Sequence, residues 1–120
     1  MTKRAVVAAM VMLALAAAWP GAARAQAPIK IGLLQGISGP FEVYAKQAVT
    51  GFKLGLEYAT GGKMEVLGRK IEVLIEDDQL KPDVYKQKAT KLYADDQVDL
   101  LAGTTSRAAA MAILTVAAEF

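Results

Sequence analysis

IKIGLLQGISGPFEVYAKQ, Ile29 to Gln47, reads as a strand handing over to a helix through a glycine-rich loop. Ile29 to Leu34 is a short β-branched and apolar run, the composition of a strand. It ends in Gly36-Ile37-Ser38-Gly39-Pro40, residues that turn a chain rather than extend it. From Glu42 to Ala59 apolar residues return at Ala45, Val49, Phe52, Leu56 and Ala59, with Lys46, Lys53 and Glu57 off the stripe. Steps of four, three, four and three mark one face of a helix. Gly61-Gly62 stops it as a left-handed cap would.

The alternation continues outward from this stretch. Leu67-Gly68-Arg69 has the look of a turn, and Ile71 to Glu76 forms a second strand leading into Asp77-Asp78. Pro82-Asp83 opens a second helix, with proline in a first turn where its missing N–H costs nothing. Tyr85, Ala89, Leu92 and Asp96 mark its repeat. Val98 to Gly103 reads as a third strand, and TTSRAAAMAILTVAAEF begins with capping hydroxyls and runs as an apolar helix to Phe120. The order β-α-β-α-β-α implies an α/β three-layer sandwich: a parallel sheet with right-handed crossovers and helices on both faces. Ligands of such sheets bind beyond the carboxyl ends of the strands. Those ends are Gly36 to Tyr44, Asp77 to Lys81, and Gly103 to Arg107. Asp77 and Asp78 are expected to form local turns, and Phe41 and the stripe from Ala109 to Val116 to be core.

Residues 1–25 carry the features of a cleavable export signal. MTKR gives a positive start, Ala5 to Ala18 is a 14-residue uncharged apolar run, and Ala23-Arg24-Ala25 is a small-x-small site that places cleavage after Ala25. The run is short for a bilayer span. The expected organisation is therefore a signal peptide at 1–25 and a domain at 26–120, in a periplasmic protein. Without Lys3, Arg4 and Arg24 the 14 basic residues fall to 11 against 12 acidic ones, a net charge of −1 in place of +2. No clustered basic face of the kind that binds nucleic acid is present.

Several chemistries fail on residue type. With no cysteine and no histidine, disulfides, thiolate metal sites and the commonest general base are excluded from this stretch. The glycines Gly32, Gly36 and Gly39 miss the dinucleotide fingerprint, because Leu34 stands where its second glycine belongs. Ser38 does not sit in a nucleophile elbow. The Gly62-Lys63 pair is followed by Met64, which rules out a phosphate loop. No cofactor is expected.

Three segments together, IKIGLLQGISGPFEVYAKQAVTGFKLGLEYA, GGKMEVLGRKIEVLIEDDQLKPD and VDLLAGTTSRAAAMAILTVAAEF, resemble the type I periplasmic binding proteins of ABC importers. The likeness is to the branch with leucine/isoleucine/valine and amide receptors. It implies a non-enzymatic receptor for a small-molecule solute, an amino acid or related carboxylate, which delivers it to an inner-membrane ABC permease. It further implies that this chain is the first half of the N-terminal lobe of a longer protein, monomeric at full length. In that family the first loop lays an aromatic side chain over the ligand, a position held here by Tyr44. The helix start after the third strand meets the ligand carboxylate, matching Thr105, Ser106 and Arg107. Arg107 departs from the small hydroxyl usual there. Two other readings remain open at this point: a ligand-sensing domain of the same fold, and an exported α/β enzyme with a base beyond Phe120.

Overall fold

The computed structural model describes residues 26–120; the expected leader and its cleavage after Ala25 lie outside them. Strand β1 (Ile29–Gln35) is followed by helix α1 (Glu42–Ala59). Strands β2 (Glu65–Val66) and β3 (Arg69–Asp77) come next, then α2 (Pro82–Ala94), β4 (Leu100–Ala102) and α3 (Arg107–Ala117). They build one sheet in the order β2-β3-β1-β4.

β1 is central, and its sequence suits the position. Residues Ile31 to Gln35 are all buried, as a strand covered on both faces requires. It runs parallel to β3 from Ile29 opposite Ile71 to Gln35 opposite Asp77, and parallel to β4 from Ile31 opposite Leu100 to Leu33 opposite Ala102. The chain moves from β1 to β3 in one direction and from β3 back across β1 to β4 in the other. Right-handed crossovers in opposite directions place α1 on one face and α2 on the other. Alternation along the strand sends Leu34 to the α2 side. There it joins Ala89 and Leu92 of α2, Val98, and Ile113 and Val116 of α3 in one buried cluster. Gly32 lets α2 lie close: a Cβ there would stand 3.1 Å from a Leu92 methyl. Ile31 and Leu33 point to the opposite face and are equally buried. On α1 the expected stripe holds through Ala45, Val49, Phe52 and Leu56, with Ala45 fully buried, whereas Ala59 is exposed.

The sheet is mixed rather than wholly parallel. Glu65 and Val66 pair antiparallel with Lys70 and Arg69 across a two-residue turn, Leu67-Gly68, at φ of 51° and 79°. Positive φ at both central residues is the geometry that matches hairpin twist. The turn itself was legible; a two-residue strand carries no alternation by which to recognise it. The third strand is also shorter than expected. Val98 packs into the core while its N–H donates to the Leu92 carbonyl (3.0 Å), and pairing in register begins only at Leu100. α3 closes at Ala117, and Phe120 beyond it stacks on Tyr93, with ring centroids 5.4 Å apart. Gly61 and Gly62 take the expected left-handed conformation, and the Gly62 N–H donates to the Glu57 carbonyl at 2.7 Å.

Charged side chains fasten α2 to the end of β3. Glu76 accepts from Lys88 at 2.6 Å and pairs with Lys91 at 2.8 Å, and Lys91 reaches on to Asp96 at 2.7 Å. The Lys88 hydrogen bond, then that of Lys91, holds the Glu76 carboxyl below the usual range against the opposing effect of burial.

Two glycine substitutions should separate backbone constraint from helix propensity. Gly103 has φ +96°, and a Cβ there would meet the Leu34 carbonyl oxygen at 2.6 Å, so Gly103→Ala is expected to destabilise by about 2 kcal/mol or more. Gly51, in α1 with open space around its Cα, should gain about 0.5–1 kcal/mol on replacement by alanine. Urea denaturation midpoints of the two variants should move in opposite directions.

Candidate functional site

The register that sets Gln35 opposite Asp77 brings the loops after β1 and β3 to one level, and β4 ends beside them. Hydrogen bonds between side chains then tie the three loops together. The Ser38 hydroxyl donates to Asp77 Oδ2 at 2.5 Å, and the Ser38 N–H donates to Oδ1 at 3.3 Å. Gln79 N–H donates to the same Oδ1 at 2.9 Å. Asp78 is fully buried. Its Oδ1 accepts from Leu80 N–H (2.8 Å), its Oδ2 from the Thr104 hydroxyl (3.1 Å), and its own N–H donates to the Gln35 carbonyl (3.2 Å). Both aspartates thus close local turns, as their type predicts, and both also reach a second loop.

Burial works against the charge of Asp77 more than any single favourable contact works for it. The Ser38 hydroxyl and the N–H groups of Gln79, Ser38 and Ile37 together outweigh that cost, and the carboxyl is held below its ordinary value of 3.8. The loop that follows is wound tightly, with Gln79 and Leu80 at φ of 51° and 56°. Gly36 gives Leu80 its room: a Cβ on Gly36 would stand 2.8 Å from that side chain.

The third loop begins α3. Ser106 is its N-cap, with Oγ accepting from Ala109 N–H at 3.4 Å, and the Ser106 N–H donates to Thr104 Oγ1 at 3.3 Å. Thr105 lies between them with its Oγ1 buried and without a hydrogen-bond partner among the described residues. Above it opens a cleft of about 460 Å³ lined by Phe41, Tyr44 and Thr105. The rings of Phe41 and Tyr44 meet edge to face, centroids 6.3 Å apart at 83°.

Of the four residues named from sequence, Tyr44 and Thr105 therefore share one cleft. Ser106 is outside the cleft lining and is engaged as the cap of α3. Arg107 is the first residue of α3, exposed and outside the cleft lining. Phe41 corrects the expectation that it is core. It is 44% exposed and forms a wall of the cleft with Tyr44, which is 67% exposed. The spacing of three between two aromatics entering a helix was the available signal. A second cleft of about 470 Å³ lies along α2, lined by Gln87, Lys88, Thr90, Lys91 and Asp95. Its lysines are already engaged by Glu76 and Asp96, so it offers a ligand little free charge. Among the described residues no group of three or more acidic side chains is arranged to hold a metal ion.

Residues 28–120 match the sequence profile of the family described as periplasmic binding protein. The chain belongs to this family. Solved structures agree with the assignment. An ABC-type branched-chain amino acid transporter from Rhodopseudomonas palustris is 53% identical over 76% of this chain and 24% of its own, with a TM-score of 0.74. An ABC transporter substrate-binding protein from Sphaerobacter thermophilus is 34% identical over 77% of this chain and 24% of its own, with a TM-score of 0.71. A solute-binding protein of an ABC transporter from R. palustris BisB5, in complex with 3,4-dihydroxybenzoic acid, is 33% identical over 77% and 24%, with a TM-score of 0.69. No curated protein matches significantly. This periplasmic binding protein chain spans about a quarter of the length of those relatives.

The Ser38–Asp77 latch has a pH signature. Because the folded-state pKa of Asp77 lies below its unfolded value of 3.8, its contribution is fully present above that pH and is lost as pH falls through the folded value. Ser38→Ala removes the strongest of the bonds that lower it. The variant should lose stability at neutral pH and show a shallower decline below pH 3.8 than the parent, read from urea midpoints against pH.

Proposed function

We propose that the chain supplies the first ligand-binding loops of the substrate-binding component of an ABC importer. That component captures an amino acid or related small carboxylate in the periplasm and delivers it to an inner-membrane permease. The observation that carries this reading is the cleft over Thr105. It lies beyond the carboxyl ends of parallel strands, where such sheets hold ligands. It sets the aromatic wall of Phe41 and Tyr44 against Thr105, the residue just before the cap of α3.

The roles follow from the chemistry of each residue. Tyr44 and Phe41 cover the apolar body of the solute. The first N–H groups of a helix lack intrahelical partners. At the start of α3 the Ala109 N–H is taken by Ser106, which leaves those of Arg107 and Ala108 directed at an anion near the positive helix end. Arg107, exposed and a planar donor, supplements them from the side. The dihydroxybenzoic acid of one relative and the branched-chain amino acid assignment of another are both carboxylates, which supports an anion-seating helix start. Closure of a second lobe over the solute and docking on the permease complete the proposal, with a monomeric, non-enzymatic receptor.

Calorimetric titration of the full-length protein with L-isoleucine and with 3,4-dihydroxybenzoate tests the reading. One of the two is expected to bind at one-to-one stoichiometry. Tyr44→Ala and Arg107→Ala should each weaken that binding by about tenfold or more, the scale of losing one aromatic wall or one charge-assisted bond. Binding unaltered in both variants would remove the cleft from consideration, and chemical turnover of either compound would remove the receptor.

A further inference from the structure

Asp78 is more deeply buried than a turn-forming residue needs to be. Its side chain is closed off from solvent, and none of the ion pairs among the described residues includes it. A buried carboxylate without a cation is costly unless hydrogen bonds replace its water. The turn itself uses one oxygen: Oδ1 receives the Leu80 N–H two residues on. Asp77 performs the same service for Gln79 from a half-buried position. Turn formation therefore accounts neither for the burial of Asp78 nor for its second oxygen.

That second oxygen leaves the turn. Oδ2 accepts from the Thr104 hydroxyl, 26 positions along the chain and across the sheet, since β3 and β4 flank β1 on opposite sides. A threonine hydroxyl has one proton. Once it is given to Asp78, the remaining lone pairs of Thr104 Oγ1 can only accept, and the Ser106 N–H donates to them at 3.3 Å. The carboxylate thus fixes the direction of Thr104, and Thr104 fixes the amide of the residue that caps α3. Thr105, which lines the cleft, stands between these two pinned residues, its own Oγ1 buried and without a partner among the described residues.

We propose that Asp78 is the positioning residue of this site: through Thr104 and the Ser106 amide it holds Thr105 and the start of α3 in ligand-ready geometry. The inference rests on the binding reading above. It differs from that reading in placing a determinant of affinity on a carboxylate the solute never touches.

The test uses the full-length protein with Thr104→Val, Thr104→Ser and Asp78→Asn. Two readouts are taken: amide hydrogen exchange at Ser106, and calorimetric affinity for L-isoleucine and 3,4-dihydroxybenzoate. Thr104→Val keeps the shape and removes the hydroxyl. It should abolish protection at Ser106 and weaken the bound compound by about tenfold. Thr104→Ser, which restores the hydroxyl, should recover both. A role confined to stability would lower the unfolding midpoint and leave the affinity of the folded protein alone. Affinity within twofold of the parent in Thr104→Val would overturn the proposal. If Thr104→Val does not fold, Asp78→Asn replaces it, with the same loss of Ser106 protection and affinity expected and unchanged values counting against. If neither compound binds the parent, the proposed ligand class has failed, and the exchange rates decide alone. Protection lost in Thr104→Val and kept in Thr104→Ser upholds the relay; equal protection in both overturns it.

Discussion

Everything in this chain depends on β1 being covered on both faces. Leu33 and Leu34 are fully buried on opposite sides of the sheet, and burying side chains of this size contributes about 1.5–3 kcal/mol each. An exposed helical pair such as Glu42–Lys46 contributes only about 0.5 kcal/mol. The core therefore decides where β1 lies, and surface charge merely decorates the result. Once β1 is fixed, the parallel register with β3 and β4 follows, and three loops end at one level. The site is a consequence of that register.

The loops would not stay together through register alone, because the chain turns away from the core at each of them. What joins them is a small polar network built on two adjacent aspartates. Asp77 holds the first loop through Ser38, and Asp78 holds the third through Thr104. Asp77 ends β3 and Asp78 begins the loop after it, and the one bonds to Ser38 while the other bonds to Thr104. A pair of neighbours can therefore reach two loops that a single side chain could not. A backbone conformation that favours glycine appears where the third loop leaves the sheet: at Gly103 a Cβ would collide with the Leu34 carbonyl of β1. In this arrangement hydrogen bonds, rather than apolar contacts, tie the three loops to one another.

Much of the architecture was legible because it is local. The helical stripe from Ala45 to Leu56, the glycine stop at Gly61-Gly62 and the proline start at Pro82 are each set by neighbours within a few residues. The same holds for the capping hydroxyl of Ser106. The antiparallel β2 was not legible, since two residues cannot display alternation. Phe41 was misplaced because its side chain is apolar and its position in a loop mouth depends on how α1 leaves the sheet. The bond from Asp78 to Thr104 was hidden for a different reason. It exists only because β3 and β4 lie on either side of β1, and strand order is not written in periodicity. Tyr44 and Thr105 were reached through family resemblance; the chain's own pattern gave their loops but not their meeting at one cleft.

The central claim is that the three strand-end loops form one solute site. Amide chemical-shift mapping of the isotopically labelled full-length protein, titrated with L-isoleucine and then with 3,4-dihydroxybenzoate, tests it most directly. The account predicts that the compound that binds will perturb residues 36–44 and 103–108 together and saturably, leaving Gln87 to Asp95 at their free positions. Perturbation centred on the lysine-lined cleft of α2, with the loops unmoved, would contradict it.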